Sequence, residues 1–305
     1  MIQVLEYLSR NMGSTRGSLE KLPEDYLKEA SLLKFEGIEG KDIYNPSKPF
    51  KYKDSLNIAT RVEPREDECK SEIVFFKKRE DCWYKNEDLA SLPNSQDPFV
   101  ARIGDELIIG AVEISCSGSK INYKTVFLDK NLEKIAEVEG MKCVRITELP
   151  GSEIGVFLRP KGSEYGMGKI CYTTIDSLEE LERIDLSEAK LIDILPKNMW
   201  GGVNDIYQED EKLLVLGHAA CFSGDGSKNY YCVVFEFDYQ TEEANKPKVA
   251  ISRDAFQKTE AKRKELRNVV YPGGFEVKDE VMEIFLGISD AYAGKAVIKN
   301  PFKQY

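Results

Sequence analysis

One acidic residue, Asp97, stands where a rigid scaffold can hold a catalytic carboxylate. It belongs to Gln96-Asp97-Pro98-Phe99 and precedes two β-rich runs that are joined by Gly104-Asp105. A two-residue link of this kind predicts a β-hairpin, because both of its residues tolerate a positive φ. We expect Asp97 at the mouth of this hairpin, in the extended conformation that a following proline favours. A carboxylate there can serve as an acid, although an ordinary turn produces the same pattern.

Cationic side chains in other segments could hold an anion. Arg159 and Lys169 flank a glycine-rich segment whose backbone N–H groups can approach an anion, although a plain hairpin turn explains it as well. The spacing is not that of a nucleotide-binding P-loop. His218 is the single histidine and ends an apolar run, so it is either a core residue or a donor to an anion. Lys262 and Arg263 are adjacent and could instead decorate a helix.

Further polar clusters have residue types that suit a carbohydrate. Arg61 and Glu63 share one face of a predicted strand, and arginine presents a planar set of donors to hydroxyl or phosphate oxygens. The segment Trp200-Gly-Gly-Val-Asn-Asp205 joins a ring that can stack on a sugar to groups that bind its hydroxyls. Asp290 follows a predicted strand near Gly294. A solvated loop, or a tryptophan that fills a core, is the alternative explanation for these patterns.

Composition narrows the class of protein. The chain has 305 residues and a net charge of −10, which argues against non-specific binding of nucleic acid. No apolar run is long enough for a membrane span, and the first residues lack the features of a signal peptide. Seven scattered cysteines without a CxxC pair predict free thiols in a reducing cytoplasm. A single histidine excludes a multi-histidine metal site.

The elements that must position these residues are short strands. Alternating and apolar runs follow one another after Gly37, separated by turn residues, and no βαβ alternation is present. Strands are predicted near 56–63, 71–77, 99–103, 106–114, 121–128, 142–148, 154–159, 168–174, 191–194, 203–207, 212–218, 230–238, 273–277, 281–287 and 295–299. The fold is therefore all-β, as a sandwich, a barrel or a propeller.

The spacing of polar and glycine-rich clusters favours a propeller. The clusters recur at irregular steps near the length of a four-stranded blade, and five irregular blades suit the chain length better than one sandwich. Helical spacing of apolar residues predicts helices over 1–10 and 24–34, and a further helix is expected over 254–268. We predict a short N-terminal helical extension over 1–35 and a five-bladed β-propeller catalytic domain over 36–305.

Taken in order, these residues resemble a known family. The matching segments are Asp42-Ile-Tyr-Asn45, Arg61-Val-Glu-Pro-Arg65, Gln96-Asp97-Pro98-Phe99-Val100, Arg159-Pro160, Trp200-Gly-Gly-Val203, Lys262-Arg263, Gly273-Gly274 and Ser289-Asp290-Ala291. Over about residues 35–302 the set is similar to glycosyltransferase family 108, the β-1,2-mannosyltransferases and mannan phosphorylases, long filed as a domain of unknown function. That family resembles glycoside hydrolase family 130, the mannoside phosphorylases, and shares its five-bladed β-propeller.

The resemblance implies a role for each matching residue. Asp97 takes the place of the general acid in the Glu-Asp-Pro-Arg motif of family 130, which acts through a substrate hydroxyl. Gln96 and Phe99 replace the Glu and Arg of that motif. The implied phosphate-binding residues are Arg159, Lys169, His218, Lys262 and Arg263. The implied substrate-binding residues are Asn45, Arg61, Glu63, Glu113, Asn204, Asp205, Tyr271 and Asp290.

The implied activity is inverting transfer of a mannosyl group between a β-1,2-manno-oligosaccharide and phosphate, by a cytoplasmic enzyme. Phosphate or mannose 1-phosphate is the co-substrate, and no metal or other cofactor, nucleic acid or membrane is expected. Phosphate itself attacks, so one acid and one anion clamp suffice, and we expect a raised pKa for Asp97. The alternatives are a nucleotide-mannose donor, a hydrolase with Glu63 or Asp205 as its base, and a non-catalytic carbohydrate-binding propeller.

Overall fold

The computed structural model describes residues 19–118, 120–209 and 211–303, which form short strands joined by turns. The first strands are β1 (Glu20–Lys21), β2 (Leu27–Leu32), β3 (Phe35–Glu36), β4 (Asp42–Tyr44), β5 (Phe50–Tyr52), β6 (Ser55–Glu63), β7 (Glu72–Arg79), β8 (Cys82–Lys85) and β9 (Leu92–Pro93). Those of the middle of the chain are β10 (Ser95–Ile103), β11 (Glu106–Ser117), β12 (Lys120–Leu128), β13 (Lys134–Glu139), β14 (Arg145–Glu148), β15 (Ile154–Leu158), β16 (Ile170–Ile175) and β17 (Lys190–Ile192).

The remaining strands complete an all-β molecule. They are β18 (Trp200–Glu209), β19 (Lys212–Phe222), β20 (Lys228–Asp238), β21 (Glu243–Ala244), β22 (Lys248–Ile251), β23 (Val270–Lys278), β24 (Val281–Ile288) and β25 (Tyr292–Lys299). The helices of the described ranges are short 3-10 turns at Glu24–Tyr26, Glu68–Lys70, Leu178–Arg183, Arg253–Ala255 and Lys264–Leu266. The prediction of an all-β fold is therefore confirmed, and every predicted strand is present.

The strands of the described residues form four hydrogen-bonded sheets, of six, four, four and eleven strands. Within these sheets we distinguish antiparallel units of four strands each. The units are β4-β6-β7-β8, β10-β11-β12-β13, β14-β15-β16-β17, β18-β19-β20-β22 and β23-β24-β25-β2. The last and the first unit belong to one hydrogen-bonded sheet, since Tyr292 of β25 pairs with Ile43 of β4. The strands β6, β10, β14, β18 and β23 contact one another in this order, and β10 also contacts β23. These strands therefore gather at the centre of the molecule, where their residues can meet.

Neighbouring units pack their apolar faces against each other. One core cluster joins Phe99 and Phe127 of the second unit to Val156 and Leu158 of the third. Alternation along each strand sends successive side chains to opposite faces, so both faces of a unit are covered by its neighbours. This packing fixes the central strands and holds the residues that precede them in place.

The predicted helix over 24–34 is wrong. Residues 27–32 form β2, which pairs antiparallel with β25 near the other end of the chain. Ala30 and Leu32 lie two residues apart and pack on the core, which is the period of a strand. The open edge of β25 supplies backbone hydrogen bonds that outweigh the local helical preference. The predicted helix over 1–10 lies outside the described residues.

The predicted helix over 254–268 is also wrong. Only the turns Arg253–Ala255 and Lys264–Leu266 are helical, and both are 3-10 turns. Arg253 donates to the carbonyl oxygens of Phe256 and Gln257 and to the hydroxyl of Thr259, so its guanidinium organises an irregular loop. These contacts replace the backbone hydrogen bonds of a helix.

The expectation that all cysteines are free thiols is wrong for two of them. Cys69, in the turn Glu68–Lys70, forms a disulfide with Cys116 near the end of β11, 47 residues away. This separation gives no signal in the sequence, because tertiary packing alone brings the turn against β11. The other five cysteines are free. Within the described residues, no helix is long and apolar enough to cross a membrane.

Candidate active site

A cavity of about 330 Å³ lies where β10, β14 and β18 begin. Its lining includes four cationic side chains, Lys142, Arg159, Lys161 and Lys228, and two carboxylates, Glu68 and Asp97. Six further residues complete the polar and aromatic wall: Gln96, Tyr123, Trp200, His218, Tyr230 and Tyr271. This excess of positive charge, in a chain with a net charge of −10, makes the cavity electrostatically suited to an anion.

Asp97 is held in an unusual backbone conformation. It lies at a bulge in the pairing of β10 with β11, between Gln96 and Phe99, and its φ is +49°. The expected extended conformation is therefore wrong, because the bulge turns this residue away from the regular strand. Asn45, whose φ is +46°, donates its amide N–H to Asp97 Oδ1 over 2.8 Å. Non-glycine residues in this region are strained, and such residues concentrate at functional sites.

The electrostatic surroundings of Asp97 favour its ionised form. Burial raises the pKa of this carboxyl. The charges of Arg61 and Lys142 and the hydrogen bond from Asn45 lower it by more than burial raises it, so the pKa lies below its usual value. Arg61 Nη1 is 3.5 Å from Asp97 Oδ1. The expectation of a raised pKa is thus wrong, because the neighbouring cations outweigh desolvation.

Arg61 is positioned by a buried network beneath the cavity. Glu63 is fully buried and accepts hydrogen bonds from Tyr44 Oη at 2.5 Å, from Arg61 Nε at 2.9 Å and from Lys262 Nζ. Glu63 and Lys262 therefore neutralise each other, and neither lines the cavity. Arg263, the other predicted phosphate ligand of this segment, is half-exposed and pairs with Glu265.

Arg159 is a buried cation without an acidic partner in the described parts of the chain. Its Nε donates to the carbonyl of Gly201 over 2.9 Å and its Nη2 to that of Met167 over 3.1 Å. No carboxylate of these residues lies within 4.0 Å of it, although the residue is only 6% exposed. A buried charge normally has a partner of opposite charge. The charge of this guanidinium is therefore available to pair with an anion from outside the chain.

Two glycines give Arg159 its space. A Cβ on Gly168, whose φ is +136°, would lie 2.7 Å from Arg159 Nε. A Cβ on Gly202 would lie 2.7 Å from Arg159 Cδ and 3.1 Å from His218 Cε1. Close approach of the backbone to the site is the physical reason for glycine at both positions.

His218 is neutral at neutral pH. Burial lowers its pKa well below the usual value, and the charges of Arg159, Arg145 and Lys161 lower it further. Its Nδ1 is 2.7 Å from Asn204 Oδ1, and its ring stacks on Tyr230 at 5.7 Å. The structure thus brings together Asn204, a predicted substrate-binding residue, and His218, a predicted phosphate-binding residue.

The three lysines of the cavity were missed by the sequence reasoning. Lys142 lies three residues before the first residue of β14, much as Asp97 lies near the start of β10, and this parallel was the signal that could have identified it. Lys161 belongs to the glycine-rich segment after Arg159, where only Lys169 was selected. Burial, with the charges of Arg159 and Lys142, lowers the pKa of Lys161 to about 8. Lys228 begins β20 and lies in the cavity wall.

Asp290 and Tyr271 lie beside the same site. Burial raises the pKa of Asp290, the positive charge of Arg61 opposes the shift, and the charge of Asp97 adds to it. Tyr271 lines the cavity, with its Oη 3.5 Å from Cys143 Sγ and its ring 5.2 Å from that of His218. Two carboxyl groups with opposite pKa shifts therefore share the electric field of Arg61.

Three predicted site residues lie elsewhere. Lys169 pairs with Asp193 at 3.2 Å, and Glu113 is half-exposed beside Lys124 at 3.6 Å. Asp205 lines a second cavity at the far ends of β10 and β18, where Lys48 Nζ is 2.8 Å from its carboxylate. The two-residue alternation and the bulge between Val203 and Asp205 turn this side chain away from Asp97.

Residues 20–304 match a family described as proteins of unknown function, DUF1861. The chain belongs to this family. A mannose phosphorylase from Leishmania mexicana, solved with a phosphate ion, is 25% identical, with a TM-score of 0.84 over 99% of this chain and 94% of that one. A GDP-Man-dependent mannosyltransferase from Leishmania mexicana is 24% identical, with a TM-score of 0.83 over 100% and 96%.

A more distant structure shares the fold. A β-1,2-mannobiose phosphorylase from Listeria innocua is 15% identical, with a TM-score of 0.65 over 86% of this chain and 91% of that one. No curated protein matches the sequence. The family relationship predicted from the ordered motifs is thereby confirmed for this DUF1861 chain.

Proposed function

We propose that this DUF1861 protein is an inverting mannoside phosphorylase or mannosyltransferase. It would move a mannosyl group between a β-1,2-manno-oligosaccharide and phosphate, with mannose 1-phosphate as the other co-substrate. The observation that carries the proposal is the buried guanidinium of Arg159, which has no acidic partner in the described chain and shares a cavity with Asp97. Similarity to a mannose phosphorylase solved with phosphate supports the same proposed activity.

The fold that we propose for this activity is a five-bladed propeller. Five four-stranded units whose central strands contact one another support it, as does the pairing of β2 with β25, which adds an N-terminal strand to the last unit. Closing a ring by pairing the two ends of a chain protects strand edges. An experimental structure tests the number of blades.

The anion clamp would consist of Arg159, Lys161 and Lys228, with His218 beside it. Phosphate oxygens accept charge-assisted hydrogen bonds from guanidinium and ammonium groups. Phosphate bound there would attack the anomeric carbon of the mannosyl group, and the bond to the leaving oxygen would break. The cations also stabilise the charge that develops on the oxygens in the transition state.

Asp97 is the proposed acid, acting through a substrate hydroxyl on the leaving oxygen. The nearby cations favour its ionised form. A bound phosphate dianion would neutralise those cations and raise the pKa of the carboxyl, so Asp97 would take up its proton in the complex. Asp290 already has a raised pKa and would bind sugar hydroxyls in the same field.

A nucleotide-mannose donor is the second candidate function. Four cations line the cavity, more than one phosphate group requires, and a GDP-Man-dependent mannosyltransferase has the same fold. A hydrolase is less well supported, because it needs a carboxylate base that faces Asp97. Glu63 is enclosed by Arg61 and Lys262, and Asp205 lines the other cavity.

The testing experiment is incubation of the purified protein with mannose 1-phosphate and mannose or oligomannoside acceptors, with phosphate release measured. We expect release in the wild type and a loss of at least about 100-fold in Asp97→Asn, the usual range for a general acid. Release of GDP from GDP-mannose, without phosphate release from mannose 1-phosphate, would select the transferase. Release of free mannose from oligomannosides without phosphate would reject both in favour of a hydrolase, and binding without turnover would indicate a carbohydrate-binding protein.

Other parts of the proposal concern surroundings and co-substrates. We propose that no cofactor beyond phosphate or mannose 1-phosphate takes part, and that the protein acts in the cytoplasm. The Cys69–Cys116 disulfide argues against the cytoplasmic location, because such bonds are rare in reducing compartments. Cell fractionation with thiol labelling of Cys69 would test the location and the redox state together.

A further inference from the structure

The amide of Gln96 is held at both ends inside the cavity wall. Its Nε2 donates to the carbonyl of Glu68 over 3.3 Å, and its Oε1 accepts from Lys142 Nζ over 3.0 Å. The residue is 3% exposed. Reversing the amide would place an NH₂ group against an ammonium and an oxygen against a carbonyl, so the chemistry of both partners fixes the orientation.

Lys142 therefore has a neutral partner at position 96. None of the described carboxylates lies within 4.0 Å of its ammonium group. Lys142 lines the cavity, and its charge acts on Asp97. The centre of the Tyr123 ring is 5.2 Å from Lys142 Nζ and 5.4 Å from Lys161 Nζ. Lys142 is therefore a neighbour of both Asp97 and the proposed anion clamp.

We propose that Gln96 is a specificity-determining residue, which fixes the position of Lys142 while leaving its positive charge available to the anionic co-substrate. The identity of that anion as phosphate rests on the proposed function. A carboxylate at position 96 would pair with Lys142 and cancel its charge. It would also place a second negative charge next to Asp97 in the chain, and so weaken any anion bound nearby.

The test compares Gln96→Glu with Gln96→Met. Both variants lose the hydrogen bond to the Glu68 carbonyl. Gln96→Met also removes the acceptor for Lys142 but leaves the lysine charge uncancelled, whereas Gln96→Glu keeps an acceptor and adds a negative charge. With inorganic phosphate and sulfate as probes in titration calorimetry at constant ionic strength, we expect Gln96→Glu to weaken binding about tenfold or more relative to Gln96→Met. Lys142→Gln should lose as much as Gln96→Glu, because each removes the free charge.

Equal affinities in Gln96→Glu and Gln96→Met would overturn the inference, and so would wild-type protein that binds neither anion. If Gln96→Glu fails to fold, Lys142→Gln against Gln96→Met makes the same comparison. Turnover separates this inference from the proposed function: a protein that binds phosphate with the expected pattern but does not use mannose 1-phosphate contradicts only the latter. In active protein, Gln96→Glu should raise KM for phosphate more than KM for the mannoside, which a general loss of structure would not do.

Discussion

The two cavities at opposite ends of β10 and β18 differ in whether a buried charge in the wall has a partner of opposite charge. In the larger one, of about 450 Å³, the buried carboxylate of Asp205 is fully partnered. Lys48 Nζ lies at 2.8 Å, and the backbone N–H groups of Phe275 and Ile206 donate over 2.9 and 3.0 Å. In the smaller one, the buried Arg159 donates hydrogen bonds only to carbonyl oxygens among the residues that the structure describes.

The difference indicates which cavity is built for a ligand. A paired buried charge ties strands together and needs nothing further, whereas an unpaired one carries a desolvation cost that a ligand can offset. Volume alone would select the larger cavity, whose buried carboxylate already has its partners. Positive-φ residues follow the same division, since Asp97 and Cys143 both line the smaller cavity.

The largest expected effect comes from removing the two cations in turn. Arg159→Met should raise KM for phosphate about 100-fold or more, because hydrogen bonds to charged groups contribute about 1.5–3 kcal/mol each. Lys48→Met should leave KM unchanged and lower the free energy of unfolding by about 1–3 kcal/mol, the cost of leaving a buried acceptor without one of its partners, since Lys48 is itself only partly buried. Steady-state kinetics and urea unfolding of both variants check this.

A reversal of these two results would break the comparison. If Lys48→Met impaired phosphate use while Arg159→Met did not, the larger cavity would be the functional one. Equal losses of stability in both variants would show that Arg159 has a structural role similar to that of Lys48.

A smaller effect is expected from crowding the clamp without removing any charge. Gly202→Ala places a methyl group against Arg159 and His218, so we expect KM for phosphate to rise about tenfold through displacement of both side chains. Gly224→Ala is the matched control, since nothing lies within 4 Å of its added Cβ. Wild-type kinetics in Gly202→Ala would mean that the clamp shifts freely and is not pre-organised.

The pH dependence of anion binding should sharpen the comparison further. Burial and Arg159 lower the pKa of Lys161 to about 8, and a bound anion raises it again. Below pH 8 the lysine is protonated and binds the anion; as the pH rises through 8 the free site loses this charge, and affinity falls. Sulfate is the suitable probe because its own charge is constant over this range.

Calorimetric titrations of sulfate between pH 6.5 and 9.5, with Lys161→Met as control, would measure this. We expect affinity to decrease severalfold across the range in the wild type and less in the variant. Burial also lowers the pKa of Lys142, which accounts for any pH dependence of affinity that remains in the variant. A flat wild-type profile would show that Lys161 does not contact the anion.

The smallest expected effect on activity comes from the disulfide. Cys69 follows Glu68 of the cavity wall, and Cys116 pairs in the sheet with Ile121, which also lines that cavity. Replacing both cysteines by serine should raise KM for phosphate about two- to threefold and lower the free energy of unfolding by about 2–4 kcal/mol. A double variant with unchanged thermal stability would show that the bond contributes nothing to the wall.

The candidate site was partly predictable from the sequence. Asp97, Arg159 and His218 were identified by residue type and position, and the structure brings them into one cavity. Glu63 and Lys262 were also identified, but they neutralise each other beneath it. Two residues 199 positions apart give no sign of pairing in the chain.

The sequence by itself determined the strands, the hairpin at Gly104-Asp105 and the all-β fold, because the side-chain period and the turn chemistry are local properties. The tertiary structure alone decided that residues 27–32 form a strand, since the edge of β25 comes from the other end of the chain. It also decided which charges are paired. Distances between distant segments set a charge's partners and its pKa, and neither spacing nor residue type contains those distances.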